Sequence, residues 1–177
     1  MKSGGSASGG FTLVEILITV AVLSILLGIA LPNLSAMLRR IQVNAVSADL
    51  VNALQQGRNE AIKLSARVLV CAGNAGGTAC AAATDWGSNG WLVCHDTDAD
   101  GACDASTTDL PNPLYVHGPV ANGLATVTGP AAVIIFTSTG ACSTPTTSPH
   151  LTVTAVGATG TTTVSVQGSG HVKGTRI

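Results

Sequence analysis

The stretch from Phe11 to Leu31 constrains this chain more than any other feature: 21 residues in which Glu15 is the only charge. As a helix it spans roughly 32 Å, which matches a hydrocarbon core of about 30 Å, so it is long enough to cross a bilayer alone. A carboxylate in such a helix is costly, about 2.5 to 3.5 kcal/mol if it sat at the bilayer centre, so Glu15 calls for a partner or a function. An ordinary secretory signal fits poorly, because its apolar region is about 7 to 15 residues long and its cleavage site follows that region. Here the small residues, Gly9 and Gly10, precede it. A plain single-pass anchor explains the hydrophobicity and leaves Glu15 without a partner. Only Lys2 precedes the run while Arg39 and Arg40 follow it, so the positive-inside rule alone weakly favours a cytoplasmic C-terminal side.

The hexapeptide Gly10-Phe11-Thr12-Leu13-Val14-Glu15 resembles the processing site of type IV prepilins and type II secretion pseudopilins. That resemblance implies a peptidase that cuts after Gly10 on the cytoplasmic face and methylates the new amine of Phe11. It also implies that Glu15 neutralises the N-terminal amine of a neighbouring subunit when helices pack into a filament. The physics agrees, since a buried carboxylate is tolerated when an opposite charge is set against it. Orientation is taken from the same resemblance: a single pass through the inner membrane, with the C-terminal domain in the periplasm. The expected organisation is a leader at 1–10, a transmembrane helix at 11–31, its amphipathic continuation at 32–66 and a periplasmic β-rich domain at 67–177.

A chain of 177 residues, 46% hydrophobic, 10% charged and 3% aromatic, has material for one small domain beyond the membrane segment. Losing the leader removes Lys2 and leaves seven basic against nine acidic residues, a near-neutral balance that argues against wholesale nucleic-acid binding.

Past Pro32 the apolar residues Val43, Val46, Leu50, Leu54, Ala61 and Leu64 recur at helical spacing, with charges elsewhere, so one long helix is predicted to about Ser65. Pro32 and the nearby Gly28 predict a kink near residues 28 to 32 rather than a break. Short strands follow at Val68–Cys71, Trp91–His95, Leu114–His117, Val133–Thr137, Leu151–Val156 and Thr162–Gln167, each bounded by turn residues. The last two form a hairpin turning at Gly157–Gly160. Thr139 to Pro149 reads as loop. The fold class is α+β: a long N-terminal helix, membrane-spanning in its first half, packed on an antiparallel sheet domain.

Within the pilin-like group the domain most resembles the minor pseudopilins of the type II secretion protein H and FimT family. The residues that carry this are Arg58-Asn59-Glu60-Ala61-Ile62-Lys63, Val70-Cys71-Ala72, Trp86-Gly87-Ser88-Asn89-Gly90-Trp91-Leu92-Val93 and Gly170-His171-Val172-Lys173. The resemblance implies a minor subunit that joins or initiates a periplasmic filament of a type II secretion system or a type IV pilus. Its partners would be other pilin or pseudopilin subunits, the prepilin peptidase and the inner membrane. Some FimT-like proteins are associated with DNA uptake, and their closing Gly-Arg-x-Arg corresponds here to Gly170-His171-Val172-Lys173. His171 and Lys173 lack the arginine fork, for which Arg176 partly compensates. No Lys or Arg lies between Val68 and Val172, so phosphate contacts must come from Arg58, Lys63, Arg67, Lys173 or Arg176.

Five cysteines allow fifteen two-bridge schemes. The simplest pairs Cys71 with Cys80 and Cys94 with Cys103, each enclosing eight residues, and leaves Cys142 over, although Cys142 can displace any partner. An oxidising compartment permits such bridges, each stabilising the domain by about 2 to 4 kcal/mol. No Cys-x-x-Cys pair supports zinc or thioredoxin-type chemistry. Asp96, Asp98, Asp100 and Asp104, with Gly101 at the sixth position, reproduce the front of a calcium loop, but the twelfth position is Thr107 and the bidentate glutamate is missing. Calcium is therefore the one cofactor the sequence suggests, against the plainer reading of a solvated acidic loop. His95, His117, His150 and His171 are dispersed, and no nucleophile elbow or phosphate loop is present, so no enzyme activity is expected.

Overall fold

The structure, a computed structural model, describes residues 10–120, 125–143, 150–155 and 160–175, with backbone alone at 30–33, 150 and 155. Contacts divide the chain into two units, one ending at Met37 and one beginning at Leu38.

The first unit is helical. Helix α1 (Leu13–Leu64) starts where Thr12 Oγ1 accepts the Glu15 N–H at 3.2 Å while the Thr12 carbonyl accepts the Ile16 N–H. Thr12 and Glu15 thus have the spacing of a capping box, and a carboxylate in the first turn is favoured by the helix dipole. Leu13, Val14, Ile16, Leu17, Ile18, Val20, Val22, Leu23, Ile25, Leu26, Leu27 and Ile29 are all exposed, so apolar surface lies on every side. The most apolar 18-residue window has a mean hydropathy of 2.7, long and apolar enough to cross a membrane. Such a helix needs lipid or other helices to cover it. The hydroxyls of Thr19 and Ser24 donate to the carbonyls of Ile16 and Val20 at 2.8 and 2.7 Å, so these two side chains are satisfied within the helix. α1 continues through Gly28 and Pro32 without a break. The side chain of Pro32 lies outside the described residues.

In the second unit most of the predicted stripe is buried: Val43, Val46, Leu50, Leu54 and Ala61 are buried together with Ala53, while Leu64 is half-buried. α1 ends in a Schellman turn. Ser65 takes a positive φ of 51°, and the N–H groups of Ser65 and Ala66 bond to the carbonyls of Ile62 and Ala61.

Among the described residues eight strands form two antiparallel four-stranded sheets. The first has the order β3 (Tyr115–His117), β2 (Trp91–Asp96), β1 (Arg67–Ala72), β5 (Ile134–Phe136). The second has the order β4 (Ala125–Thr128), β6 (His150–Ala155), β7 (Thr161–Val166), β8 (Val172–Gly174). Six of these strands match the sequence expectation within a few residues. The sequence reading missed β4 and β8 and did not separate two sheets. The turn expected between β6 and β7 at Gly157–Gly160 falls largely outside the described residues, as does the 144–149 part of the expected loop.

β1 and β2 are almost wholly buried because both of their faces are covered. Val68, Val70, Ala72, Trp91 and Val93 join the helix in the main core, while Leu69, Cys71, Leu92 and Cys94 form a second cluster on the other face with Cys80, Cys103, Val133 and Ile135. The Trp86-to-Trp91 segment builds core rather than a site. Trp86 is buried and its Nε1 donates to the Pro130 carbonyl at 3.0 Å, and buried Trp91 stacks on His117 with ring centroids 3.8 Å apart. Between them Gly90 has φ +79°, and a Cβ placed there would lie 1.9 Å from the His117 carbonyl oxygen. Asp85 folds the segment back by accepting from the Gly87 and Ser88 N–H groups and the Ser88 hydroxyl; the last bond chiefly holds its carboxyl below the usual carboxylate range.

Candidate functional site

Three regions carry the residues singled out above. At the N-terminal end, a Cβ added to Gly10 would meet nothing within 4 Å among the described residues, whose packing does not demand glycine there. Phe11 is 80% exposed. Glu15 is exposed in the first helical turn and makes no ion pair among the described residues, which leaves its carboxylate available to a neighbour. The capping role of Thr12 was missed in the sequence reading, although Thr-x-x-Glu before an apolar run is its recognisable signal.

The acidic loop after β2 brings Asp96, Asp98 and Asp104 together, with one oxygen of each within 4.8 Å of the others. Asp100 falls outside that group, which corrects the four-ligand expectation: its Oδ1 accepts the Ala102 N–H at 2.7 Å and serves the turn. Much of the remaining acceptor capacity is also in use. Asp104 Oδ2 accepts from the Thr97 N–H, the Thr97 hydroxyl and His95 Nδ1 at 2.8, 2.5 and 3.1 Å, and the Thr97 hydroxyl is the main reason its carboxyl is held low. Asp96 Oδ2 accepts from the Gly101 N–H at 3.2 Å and lies 3.1 Å from the Arg67 guanidinium. Asp96 itself is fully buried, and its Oδ1 has no hydrogen-bond partner among the described residues. Arg67 is a functional neighbour that no spacing along the chain pointed to. It reaches Asp96 because the two are paired across β1 and β2.

The closing segment has a structural role at its glycine. Gly170 has φ +77°, and a Cβ there would lie 1.8 Å from the Gly140 carbonyl, the same carbonyl that accepts Arg58 Nε at 3.1 Å. His171 and Lys173 are exposed, and Arg176 lies outside the described residues. Of the cations expected to reach phosphate, Arg58 is held by Gly140, Lys63 pairs with Glu60 at 3.3 Å and Arg67 pairs with Asp96. That leaves a thin electrostatic footprint for a nucleic acid. Beside these regions, Cys71 is bridged to Cys80 and Cys94 to Cys103, with Cα–Cα distances of 5.6 and 5.5 Å; Cys142 belongs to neither bridge.

A family model described as type II transport protein GspH matches residues 47–170, well over half of the chain. The chain belongs to this family. A second model, for the prokaryotic N-terminal methylation motif, matches residues 5–31. Two crystal forms of the type IV minor pilin FimU from Pseudomonas aeruginosa strain PAO1 have similar structures, with TM-scores of 0.55 and 0.52 at 18% identity in each case. The matches cover 76% and 75% of this chain and 88% and 91% of those chains. At that identity the likeness is one of fold. No curated protein matches the sequence. The GspH-family chain thus carries an N-terminal methylation motif, and the α+β pilin architecture expected from sequence is the one observed.

Proposed function

We propose that this chain is a non-catalytic filament subunit, anchored in the inner membrane by residues 11–31, with residues 67–177 in the periplasm, that joins or starts a filament of a type II secretion system or a type IV pilus. The observation that carries this is the helix from Leu13 to Ile29. Apolar surface is exposed on every side of it, and Glu15 is its one charge, so it suits burial among other helices with a single ionic contact at its head. Other pilin or pseudopilin subunits supply those helices.

Maturation by a prepilin peptidase explains a glycine that the chain's own packing does not require. Gly10→Val should therefore accumulate in the membrane as a precursor heavier by the ten-residue leader, visible by intact-mass measurement. Normal maturation of that variant would sink the reading.

The acidic loop supports a second, local role: weak calcium binding by Asp96, Asp98 and Asp104, with the buried, unpartnered Asp96 Oδ1 as the group that lacks a cation. Arg67 already supplies one positive charge, so affinity should be low. With full-length protein in detergent, millimolar calcium should raise the melting temperature by about 2 to 4 °C, and Asp98→Ala should remove the shift. No shift for the unaltered protein means that Arg67 and the loop's own hydrogen bonds are all this cluster has.

A further inference from the structure

The two disulfides touch. Cys71–Cys80 ties β1 to the loop that follows it, Cys94–Cys103 ties β2 to the acidic loop, and Cys80 Sγ lies 3.6 Å from Cys103 Sγ. The strand register explains the approach. Leu69 stands opposite Cys94 and Cys71 opposite Leu92, so both strand cysteines project from the same face of the sheet as diagonal neighbours. Cys71 and Cys94 are 1% and 0% exposed, whereas Cys80 and Cys103 are partly open. The sulfurs in contact thus belong to the two bridged cysteines that are partly open to solvent.

We propose that the two bridges form a single exchange-coupled redox site, entered at Cys80 or Cys103 by a dithiol reductant, and that its one-bridge product is a Cys80–Cys103 disulfide absent from the oxidised protein. A thiolate of the dithiol attacks Cys80 Sγ, and Cys71 leaves as a thiolate and takes a proton. The second thiol of the reductant closes that reagent's own disulfide and releases the Cys80 thiolate. Cys80 then attacks Cys103 Sγ; the Cys80–Cys103 bond forms, the Cys94–Cys103 bond breaks, and the electron pair leaves on Cys94, which is protonated. One dithiol is oxidised, two protein thiols appear, and one bridge remains. Entry at Cys103 gives the same product by the mirror path, with Cys103 attacking Cys80 and Cys71 leaving.

Two features favour exchange over simple loss of one bridge. Contact gives the attacking sulfur a very high effective concentration of its target. The exchanged product places its thiols at Cys71 and Cys94, inside the cluster with Leu69 and Leu92, where a neutral thiol packs as a small apolar group. The surviving bridge then fastens the loop ending at Cys80 directly to the acidic loop. The partner implied is a dithiol oxidoreductase or a small dithiol acting at the exposed edge of this sulfur pair.

The test is limited reduction of full-length protein in detergent with substoichiometric dithiothreitol, followed by acid quench, alkylation and peptide mapping. Cleavage before aspartate is needed because no Lys or Arg lies between Val68 and Val172; cuts at Asp85, Asp96, Asp100 and Asp104 separate Cys94, Cys103 and the Cys71/Cys80 pair. The dominant one-bridge species should join Cys80 to Cys103, with Cys71 and Cys94 alkylated. Cys71→Ser and Cys94→Ser should converge on that same bridge, each with a single buried thiol. A one-bridge species that keeps Cys71–Cys80 or Cys94–Cys103, or that recruits Cys142, overturns the proposal. If either variant fails to accumulate, the partial reduction of the unaltered protein decides the matter alone.

Discussion

Glu15→Leu should insert into the membrane at least as well as the unaltered chain and lose incorporation into filaments by about 100- to 4,000-fold. Insertion improves because a charge is removed from an apolar span. In the proposed filament assembly should fail because a neighbour's N-terminal amine would be left buried without its counter-charge, and breaking a buried pair from one side costs about 3 to 5 kcal/mol. The structure adds a rival explanation that must be separated from this one. Glu15 stands at the third position of a helix capped by Thr12, so its loss also weakens the start of α1. Glu15→Gln distinguishes the two, since glutamine serves a capping box as glutamate does but carries no charge. Quantifying each variant in the sheared filament fraction should show Gln failing as Leu does. If Gln assembles normally, Glu15 acts on its own helix and not on a neighbour.

Gly90→Ala should destabilise the second unit by roughly 2 to 5 kcal/mol. Alanine at φ +79° costs about 1 to 2 kcal/mol, and its Cβ, 1.9 Å from the His117 carbonyl, forces β2 and β3 apart at a further cost of about 1 to 3 kcal/mol. The displacement also disturbs the stacking of Trp91 on His117. Gly118→Ala is the control, because a Cβ there meets nothing within 4 Å. Melting followed by circular dichroism on full-length protein should show a large drop for the first variant and little for the second. Equal effects would mean that the close approach at Gly90 is not what fixes this corner.

How far such features were legible depends on the range over which they are encoded. The helix and its buried stripe could be read because helical spacing repeats along the chain, and Val43, Val46, Leu50 and Leu54 form an unbroken apolar series. β4 was missed although Ala125 and Val127 are buried and Thr126 and Thr128 exposed; four residues give too short an alternation to stand out. β8 is three residues with an exposed Lys173 and a glycine, and it becomes a strand only because β7 offers it an edge. The division into two sheets depends on the pairing of β1 with β5 and of β4 with β6, long-range choices without a local signature. The acidic loop shows the same limit. Its carboxylates follow a local spacing, but the Arg67 that neutralises Asp96 comes from a strand whose register had to be known first. The contact between Cys80 and Cys103 was hidden for that reason too.

The intact mass of this chain in the sheared filament fraction tests the central claim most directly. It should be present there as a species that begins at Phe11 and carries one added methyl group, with residues 1–10 absent. Absence from filaments, a species still beginning at Met1, or one cut on the C-terminal side of the apolar helix would contradict the claim that this chain is a processed, helix-packed filament subunit.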